Sequence, residues 1–541
     1  MDVGRVHFKF GWVAAVLECA DFFAPSQPKC ARNGIKGQNV PARDVQALAK
    51  RRKWFSLAAV NIGNFVPPLD TGIMSLILPT ISINLKAPIS LVLWVPLESL
   101  IITAAFMPIF GKFSDAHGRK RYFILGLALF SLGAYLSGNS ITIYDLLIYR
   151  VIQALGGAFI LSNGRALIVD AFEPRERGFA LGTHISVIYI GMTVGVALTG
   201  TVVDITQAVG WRYVFYAGAL IAAIAIPISL VALKESPKNL AIKTDWPGAL
   251  FFVGALGSAL VGLTSYSSNG FTPISIYIQS IYIPFLHFFL YPNLAITIPL
   301  GYIAIVGAVS TVLFIVREMK TSQPVINFHT FRTNSMYAST NFSALFLYMA
   351  HYGTLILLSF YLELIKQVSP LTAGLLLTVE PLSVTIFALF GGWIASRTSS
   401  RDPSVAGLVI VTASLLLFTT LAEASSTTTI AFLLAMLGAG VGIFAPTNTN
   451  ANLASVPPAD RASANGILGM MRSTGQSVSL AIGSILLGLL LFGSKSGGTF
   501  TPAKYIAAIH LYFIFGAGLA AIAVFFAYRG REPAGAPREL T

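Results

Sequence analysis

Residues Gly111 to Arg121 read GKFSDAHGRKR, a basic, glycine-bounded stretch between two long apolar runs. Apolar runs of about 20 residues have the length a helix needs to cross the hydrocarbon of a bilayer. Lys112, Arg119, Lys120 and Arg121 therefore sit in a loop between two spans, on the side where Lys and Arg are retained. That side is the cytoplasm.

Similar runs recur along almost the whole chain. Its 541 residues are 55% hydrophobic and only 11% charged, with a mean hydropathy of +0.74. A soluble globular domain carries about 25% charged residues. Fourteen spans are expected, near 54–79, 91–110, 122–138, 143–169, 179–203, 212–233, 248–266, 293–316, 337–361, 371–395, 404–422, 428–447, 464–492 and 505–528. The net charge of +14 could suit a nucleic-acid partner, but its distribution argues otherwise. With residue 53 in the cytoplasm, Lys50–Lys53, the even-numbered loops and the C-terminal tail hold most of the Lys and Arg of this region. The opposite loops hold only Lys86, Arg212, Lys366, Lys495 and Lys504. The charge rule then puts both termini in the cytoplasm. The basic balance reflects topology and lipid contact, and no nucleic acid is expected as a partner.

The two cysteines, Cys19 and Cys30, lie in the N-terminal tail with no ligand set around them. Neither a metal nor a cofactor is expected. In that tail Phe8–Phe23 is apolar but too short to span, and Glu18 and Asp21 interrupt it. It lacks the order of a signal peptide, so residues 1–53 are expected to form a poorly ordered cytoplasmic tail.

The spans divide into six, two and six. A six-helix bundle over 54–233 ends at the polar segment KESPKNLAIKTD (234–245). A linker over 234–334 holds two additional spans and closes with REMKTSQPVINFHTFRTN (317–334). A second bundle follows over 335–528, then a tail over 529–541. Within the linker, Pro273 to Val316 is apolar enough for two spans, but a fifteenth span would invert every later loop against the charge rule. Ser267–Pro292 is therefore assigned to an aromatic-rich external excursion. GWIASRTSSR (392–401), after the tenth span, is a degenerate echo of the basic loop, with Ser396 in place of the acid. An internal repeat of this kind, with a substrate site between the halves, is a transporter architecture.

The spacing Gly-x-x-x-Asp-x-x-Gly-Arg-Lys-Arg in 111–121 resembles the loop between the second and third helices of major facilitator superfamily transporters. Further matches narrow the resemblance to the fourteen-helix drug:proton antiporter branch. They are Leu69-Asp70-Thr71 through Leu78-Pro79, Trp94, LLIYRVIQALGGA (146–158) with Arg150, and Trp211-Arg212. Gly438, Gly440 and Gly442, and Arg472 with Gly475, belong to the same set. Span five departs from the branch. Gly191, Gly195 and Gly200 are present, but Val196 stands for the usual proline and Thr199 for a glycine. The glycines still permit close helix packing. The resemblance implies an all-α polytopic protein of the plasma membrane, with no enzymatic activity, acting as a monomer on a small molecule and protons.

An ionised side chain at the bilayer centre costs about 2.5–3.5 kcal/mol on insertion scales, so it must be paired, hydrated or functional. Asp70, Glu98, Glu363 and Glu380 are such acids. A carboxylate in apolar surroundings titrates nearer neutrality than in water, and can exchange its proton for a substrate cation. Asp70, Glu98 and Arg150 are the candidates for proton coupling, and Glu380 with Asp70 for the substrate cavity. Arg150 needs a partner, and in the family its counterpart promotes proton transfer with a nearby acid. Pro67-Pro68 is expected to break the first span near Asp70, and Pro381 to loosen the helix at Glu380. Glu363 lies one turn from Lys366 and could pair with it. Arg165, Arg472, His184 and His351 read as structural. Gly111, Asp115, Gly118 and Arg119 form the candidate cytoplasmic gate, with the glycines allowing close backbone approach and Asp115 within reach of Arg119.

Together these readings predict a proton-coupled exporter of amphipathic, cationic or lipophilic compounds. The alternatives are a transporter of one metabolite, siderophore or lipid precursor, by export or symport, and a non-transporting receptor or scaffold. Costly embedded charges argue against a scaffold. The absence of a G-x-x-x-x-G-K-[ST] loop argues against an ATP-driven pump.

Overall fold

The computed structural model describes residues 42–87, 89–172, 174–206, 209–236, 245–269, 274–278, 281–283, 288–290, 294–321, 328–395, 401–457, 461–492 and 501–530. Met1–Arg51 and Arg52–Thr541 form separate units. In the first, residues 42–51 are helical and the apolar stretch Phe8–Phe23 lies outside the described residues.

The second unit is built almost wholly of long helices. The first six are α1 (Arg52–Asn84), α2 (Trp94–His117), α3 (Arg119–Gly138), α4 (Ile143–Ala171), α5 (Pro174–Thr206) and α6 (Gly210–Ala232). Next come α7 (Trp246–Asn269) and α8 (Leu300–Lys320). The last six are α9 (Ser335–Ile365), α10 (Pro370–Ala395), α11 (Arg401–Phe418), α12 (Thr427–Ala454), α13 (Arg461–Phe492) and α14 (Pro502–Arg529). Among the described residues, 12 helices are long and apolar enough to cross a membrane. The other two, α7 and α13, occupy the places of the seventh and thirteenth expected spans.

Local chemistry sets the helix ends. Thr142 caps α4 by accepting from the Asp145 amide at 3.2 Å, while Asp145 accepts back from the Thr142 amide at 2.9 Å, a reciprocal capping box. Asn334 caps α9 through the Tyr337 amide at 2.9 Å. Thr501 precedes Pro502 at the start of α14, where proline's missing N–H is not needed. Gly118 separates α2 from α3 with a φ of 112°, in the region an L side chain avoids.

Two expectations fail here. The first span is not broken at Pro67-Pro68, because α1 runs helical through Pro67, Pro68 and Pro79. Membrane helices tolerate proline when neighbouring helices and local adjustments satisfy the freed backbone. The eighth helix begins at Leu300, not 293. Ahead of it, in and just beyond the segment expected as an excursion, lie β1 (Ile274–Ile278), β2 (Ile281–Ile283), β3 (Phe288–Leu290) and β4 (Leu294–Ile298). β1 pairs antiparallel with β4 and β2 with β3, two nested ladders. Ile, Tyr and Phe favour extended pleated backbone, so the segment pairs with itself and adds no helix among its described residues.

In the first half α3 packs on α4 and α6, and α2 on α4. In the second, α10 and α11 pack on α12, and α9 and α11 on α14. Two seams join the halves: α5 against α10, and α2 against α13. α7 and α8 pair with each other, and α7 also touches α2 and α13. α8 leaves Tyr302, Ile305, Val306, Val309 and Val312 exposed, an apolar face that suits lipid.

Candidate functional site

Arg150 of α4 is a fully buried charge in the first half, its side chain 1% exposed. The Arg150 fork meets Asp70 of α1 with two parallel bonds, Nη1 to Oδ1 and Nη2 to Oδ2, each 3.1 Å. Such bidentate pairs are among the stronger charge-assisted hydrogen bonds. The remaining donors are also taken. Nε donates to the Val95 carbonyl at 2.9 Å, Nη2 to the Ser99 hydroxyl at 2.8 Å and Nη1 to Gln153 Oε1 at 3.4 Å. Gln153 in turn donates to Asp70 Oδ1 at 2.9 Å, and the Phe215 ring centroid is 5.7 Å from the guanidinium carbon. Every N–H of the guanidinium thus has an acceptor.

Glu98 of α2 stands beside this saturated cluster. Its Oε1 is 3.9 Å from Arg150 Nε but is buried without a hydrogen-bond partner. Two carboxylates therefore face one guanidinium, and only Asp70 bonds it. Sequence reading grouped Asp70, Glu98 and Arg150, and the fold brings all three together. It missed Ser99 and Gln153. Gln153 lies three residues beyond Arg150, a spacing that puts both on one helix face.

On the facing half, Glu380 of α10 and His351 of α9 are both buried, with Nδ1 to Oε1 at 3.8 Å. α10 stays helical through Pro381. Tyr352 of α9 lies within electrostatic reach of Asp70, Arg150 and Glu380. Glu363 does not pair with Lys366. Lys366 Nζ donates to the Glu423 carbonyl at 2.8 Å, and Glu363 Oε1 is buried without a partner in a π turn over Tyr361–Ile365. That wider turn rotates Glu363 away from the one-turn neighbour an α-helix would give it. His184 Nδ1 lies 3.1 Å from Asn61 Oδ1.

At the junction of α2 and α3 the Asp115 side chain lies outside the described residues. Arg119 bonds both carboxylate oxygens of Asp170 at 2.8 Å. Asp170 also accepts from the Ser236 hydroxyl at 2.6 Å. Glu235 accepts from the Lys120 amide at 3.1 Å and lies 3.3 Å from Arg121. Lys53 is paired with Glu176 at 2.5 Å. A Cβ on Gly118 would lie 2.6 Å from Glu235 Oε1, whereas one on Gly111 would meet only Ser162 Cβ at 3.9 Å. Close approach is thus made at Gly118 and not at Gly111. Asp170 and Glu235 escaped sequence reading because each lies far along the chain from the basic loop.

The span-five glycines hold α5 against the helix that carries Asp70. A Cβ on Gly191 would sit 2.8 Å from the Phe65 carbonyl oxygen, and one on Gly195 would fall on that of Leu69. Gly200 turns to α10, where a Cβ would lie 3.0 Å from the Pro370 carbonyl oxygen.

Long apolar helices in two groups, with opposed charges buried at their centre, define a multi-pass membrane transporter. The Major Facilitator Superfamily model matches residues 60–325 and 340–541, and the chain belongs to that family. It is a transporter of the plasma membrane and not an enzyme. It is 26% identical over 465 residues to the riboflavin transporter RibZ of Clostridioides difficile, covering 86% of this chain and 94% of that protein. It is 28% identical over 416 residues to multidrug resistance protein 3 of Bacillus subtilis, covering 75% and 73%. Among solved structures, an inward-facing bacterial homologue of the human lysosomal transporter Spinster superposes with a TM-score of 0.60 at 15% identity, covering 89% and 99%. The inward-open xylose transporter XylE of E. coli gives 0.56 at 12%, covering 90% and 98%.

Proposed function

We propose that this chain exports amphipathic, cationic or lipophilic compounds in exchange for protons, by alternating access. The observation that carries the proposal is the buried cluster of Asp70, Glu98 and Arg150. One guanidinium balances one of two carboxylates, so the second is cheapest to keep when it holds a proton. Glu98, with no bond to Arg150, carries that proton. Transfer to Asp70 would break the Asp70–Arg150 fork and free α1 and α4 to move against each other. Glu380 receives the substrate's cationic group on the facing half, with Tyr352 in electrostatic reach of both Glu380 and Asp70. Gly111, Asp115, Gly118 and Arg119 act as the cytoplasmic gate, supported by the ion pairs around Asp170 and Glu235.

The same reading takes fourteen spans with both termini cytoplasmic, bundles over 54–233 and 335–528, a linker over 234–334, and a monomer. The similarity to proteins named for multidrug resistance supports an exporter. The similarity to a riboflavin transporter favours a second reading, a carrier dedicated to one aromatic metabolite.

The test is proton movement in proteoliposomes with an imposed pH gradient and a pH-sensitive dye. Ethidium is expected to trigger proton efflux in the wild type, and Asp70→Asn to reduce it at least about 100-fold with normal membrane insertion. Undiminished efflux in the variant would sink the proposal. A response to riboflavin alone would favour the dedicated carrier.

A further inference from the structure

Two further arginines lie where the halves join, Arg165 bonding Asn465 of α13, the helix that carries Arg472. Arg165 of α4 and Arg472 of α13 lie in each other's electrostatic field, together with Tyr189 of α5 and Tyr348 of α9. The hydroxyl-bearing rings of Tyr189 and Tyr348 are close together across the join, with Arg472 beside them. Arg472 stacks over the Tyr348 ring at 5.6 Å and donates Nη2 to the Thr449 hydroxyl at 3.0 Å. Its Nε is buried with no partner at all. Arg165 gives Nη1 to Asn465 Oδ1 at 2.5 Å, a bond between the halves.

This arrangement differs from Arg150 in one decisive respect. Arg150 spends every N–H and is matched by a carboxylate. Among the described residues no carboxylate lies within ion-pair distance of Arg165 or Arg472. Glu380, whose charge reaches Tyr189, makes its own close approach to His351. Arg165 and Arg472 are only partly buried, but like charges near each other repel, and a membrane-embedded charge without a counter-ion is costly. Guanidinium forks with donors left over suit a planar or tetrahedral oxyanion, and the two tyrosines add hydroxyl donors and aromatic faces.

We infer that Arg165 and Arg472, with Tyr189 and Tyr348, form a recognition site for the anionic group, carboxylate or phosphate, of an amphipathic substrate. The inference rests on the transport reading above and names a substrate class within it. The site takes one residue pair from each half, so an anion bound there bridges the halves that alternating access must move. A substrate with an additional cationic group would reach Glu380 with its other end. The anion's source is either a dissolved aromatic acid or an anionic lipid.

The test is equilibrium binding to the purified full-length protein in neutral detergent, with no gradient, read by the anisotropy of carboxyfluorescein. Saturable binding is expected in the wild type, at least tenfold weaker in Arg472→Gln and within about threefold of wild type in Arg472→Lys. A merely structural arginine would not be rescued by charge alone while melting temperature stays level. Displacement by dioctanoyl phosphatidic acid, but not by dioctanoylglycerol, would assign a lipid headgroup; its failure to displace would assign a dissolved acid. Arg165→Gln is the second variant should Arg472→Gln not fold. Binding of neither anion to the wild type, or equal binding by wild type and both glutamine variants, would overturn the inference. Loss of ethidium-driven proton movement with anion binding intact would instead overturn the coupling mechanism.

Discussion

Arg150 illustrates how one side chain in a membrane interior can be both affordable and consequential. Its fork is matched to Asp70, its Nε to a backbone carbonyl and its spare donors to Ser99 and Gln153. Removing one member of a buried pair strands the other charge, at a penalty of about 3–5 kcal/mol, whereas removing both is often tolerated. Arg150→Gln alone is therefore expected to lower the melting temperature in detergent more than Arg150→Gln combined with Asp70→Asn. A double variant less stable than either single one would show that the pair's charges are not what the fold depends on here. The comparison separates structure from transport, because every one of these variants should lose proton exchange.

The helices are held at spacings that only small residues permit. α5 lies so close to α1 that a Cβ at Gly195 would fall on the Leu69 carbonyl oxygen, one residue from Asp70. α12 approaches α10 in the same way, since a Cβ at Gly442 would be 2.7 Å from the Val384 carbonyl oxygen. Overpacking a contact of this kind costs about 1–3 kcal/mol. Gly195→Leu is expected to lower thermal stability in detergent by that amount and to displace α1 with its acid. Gly218→Ala, where nothing lies within 4 Å of the added carbon, should leave the melting temperature within about a degree. Equal effects from the two would refute the close α1–α5 seam. Val196 and Thr199 remove a proline and a glycine expected in this helix, and α5 runs unbroken from Pro174 to Thr206. The close approach survives because it depends on Gly191 and Gly195, not on the kink.

The two halves meet along α5–α10 and α2–α13, and alternating access requires these seams to open in turn. Met107 of α2 and Gly469 of α13 mark the second seam, where a Cβ on Gly469 would lie 2.8 Å from Met107 Cε. Cys19 and Cys30 are the chain's cysteines and both lie in the N-terminal tail, so replacing them with serine leaves the helices untouched. In that background Met107→Cys with Gly469→Cys is expected to be bridged by a short bis-methanethiosulfonate reagent and to stop transport, with activity returning on reduction. Full transport by the cross-linked protein would mean that this seam does not open.

Much of this was legible from the chain. A run of apolar residues long enough to span, and a loop such as Gly111–Arg121 that keeps its charges in water, are local properties of neighbouring residues. They are read by the bilayer before any two helices meet, which is why a chain of long membrane-spanning helices is evident from sequence alone. The candidates Asp70, Glu98 and Arg150 were equally visible, because an embedded charge stands out against an apolar background wherever it lies. Tertiary structure alone decided which charges met. It gave Arg150 to Asp70, left Glu98 and Glu363 without hydrogen-bond partners at one oxygen each, sent Arg119 to Asp170 and bonded Arg165 to Asn465 across the halves. It also kept α1 helical through two prolines and paired the excursion before α8 into strands. Those outcomes depend on contacts between residues far apart in the chain, such as the 80-residue separation of Asp70 and Arg150. Hydropathy and local spacing carry no record of such contacts, because they are set by how helices pack.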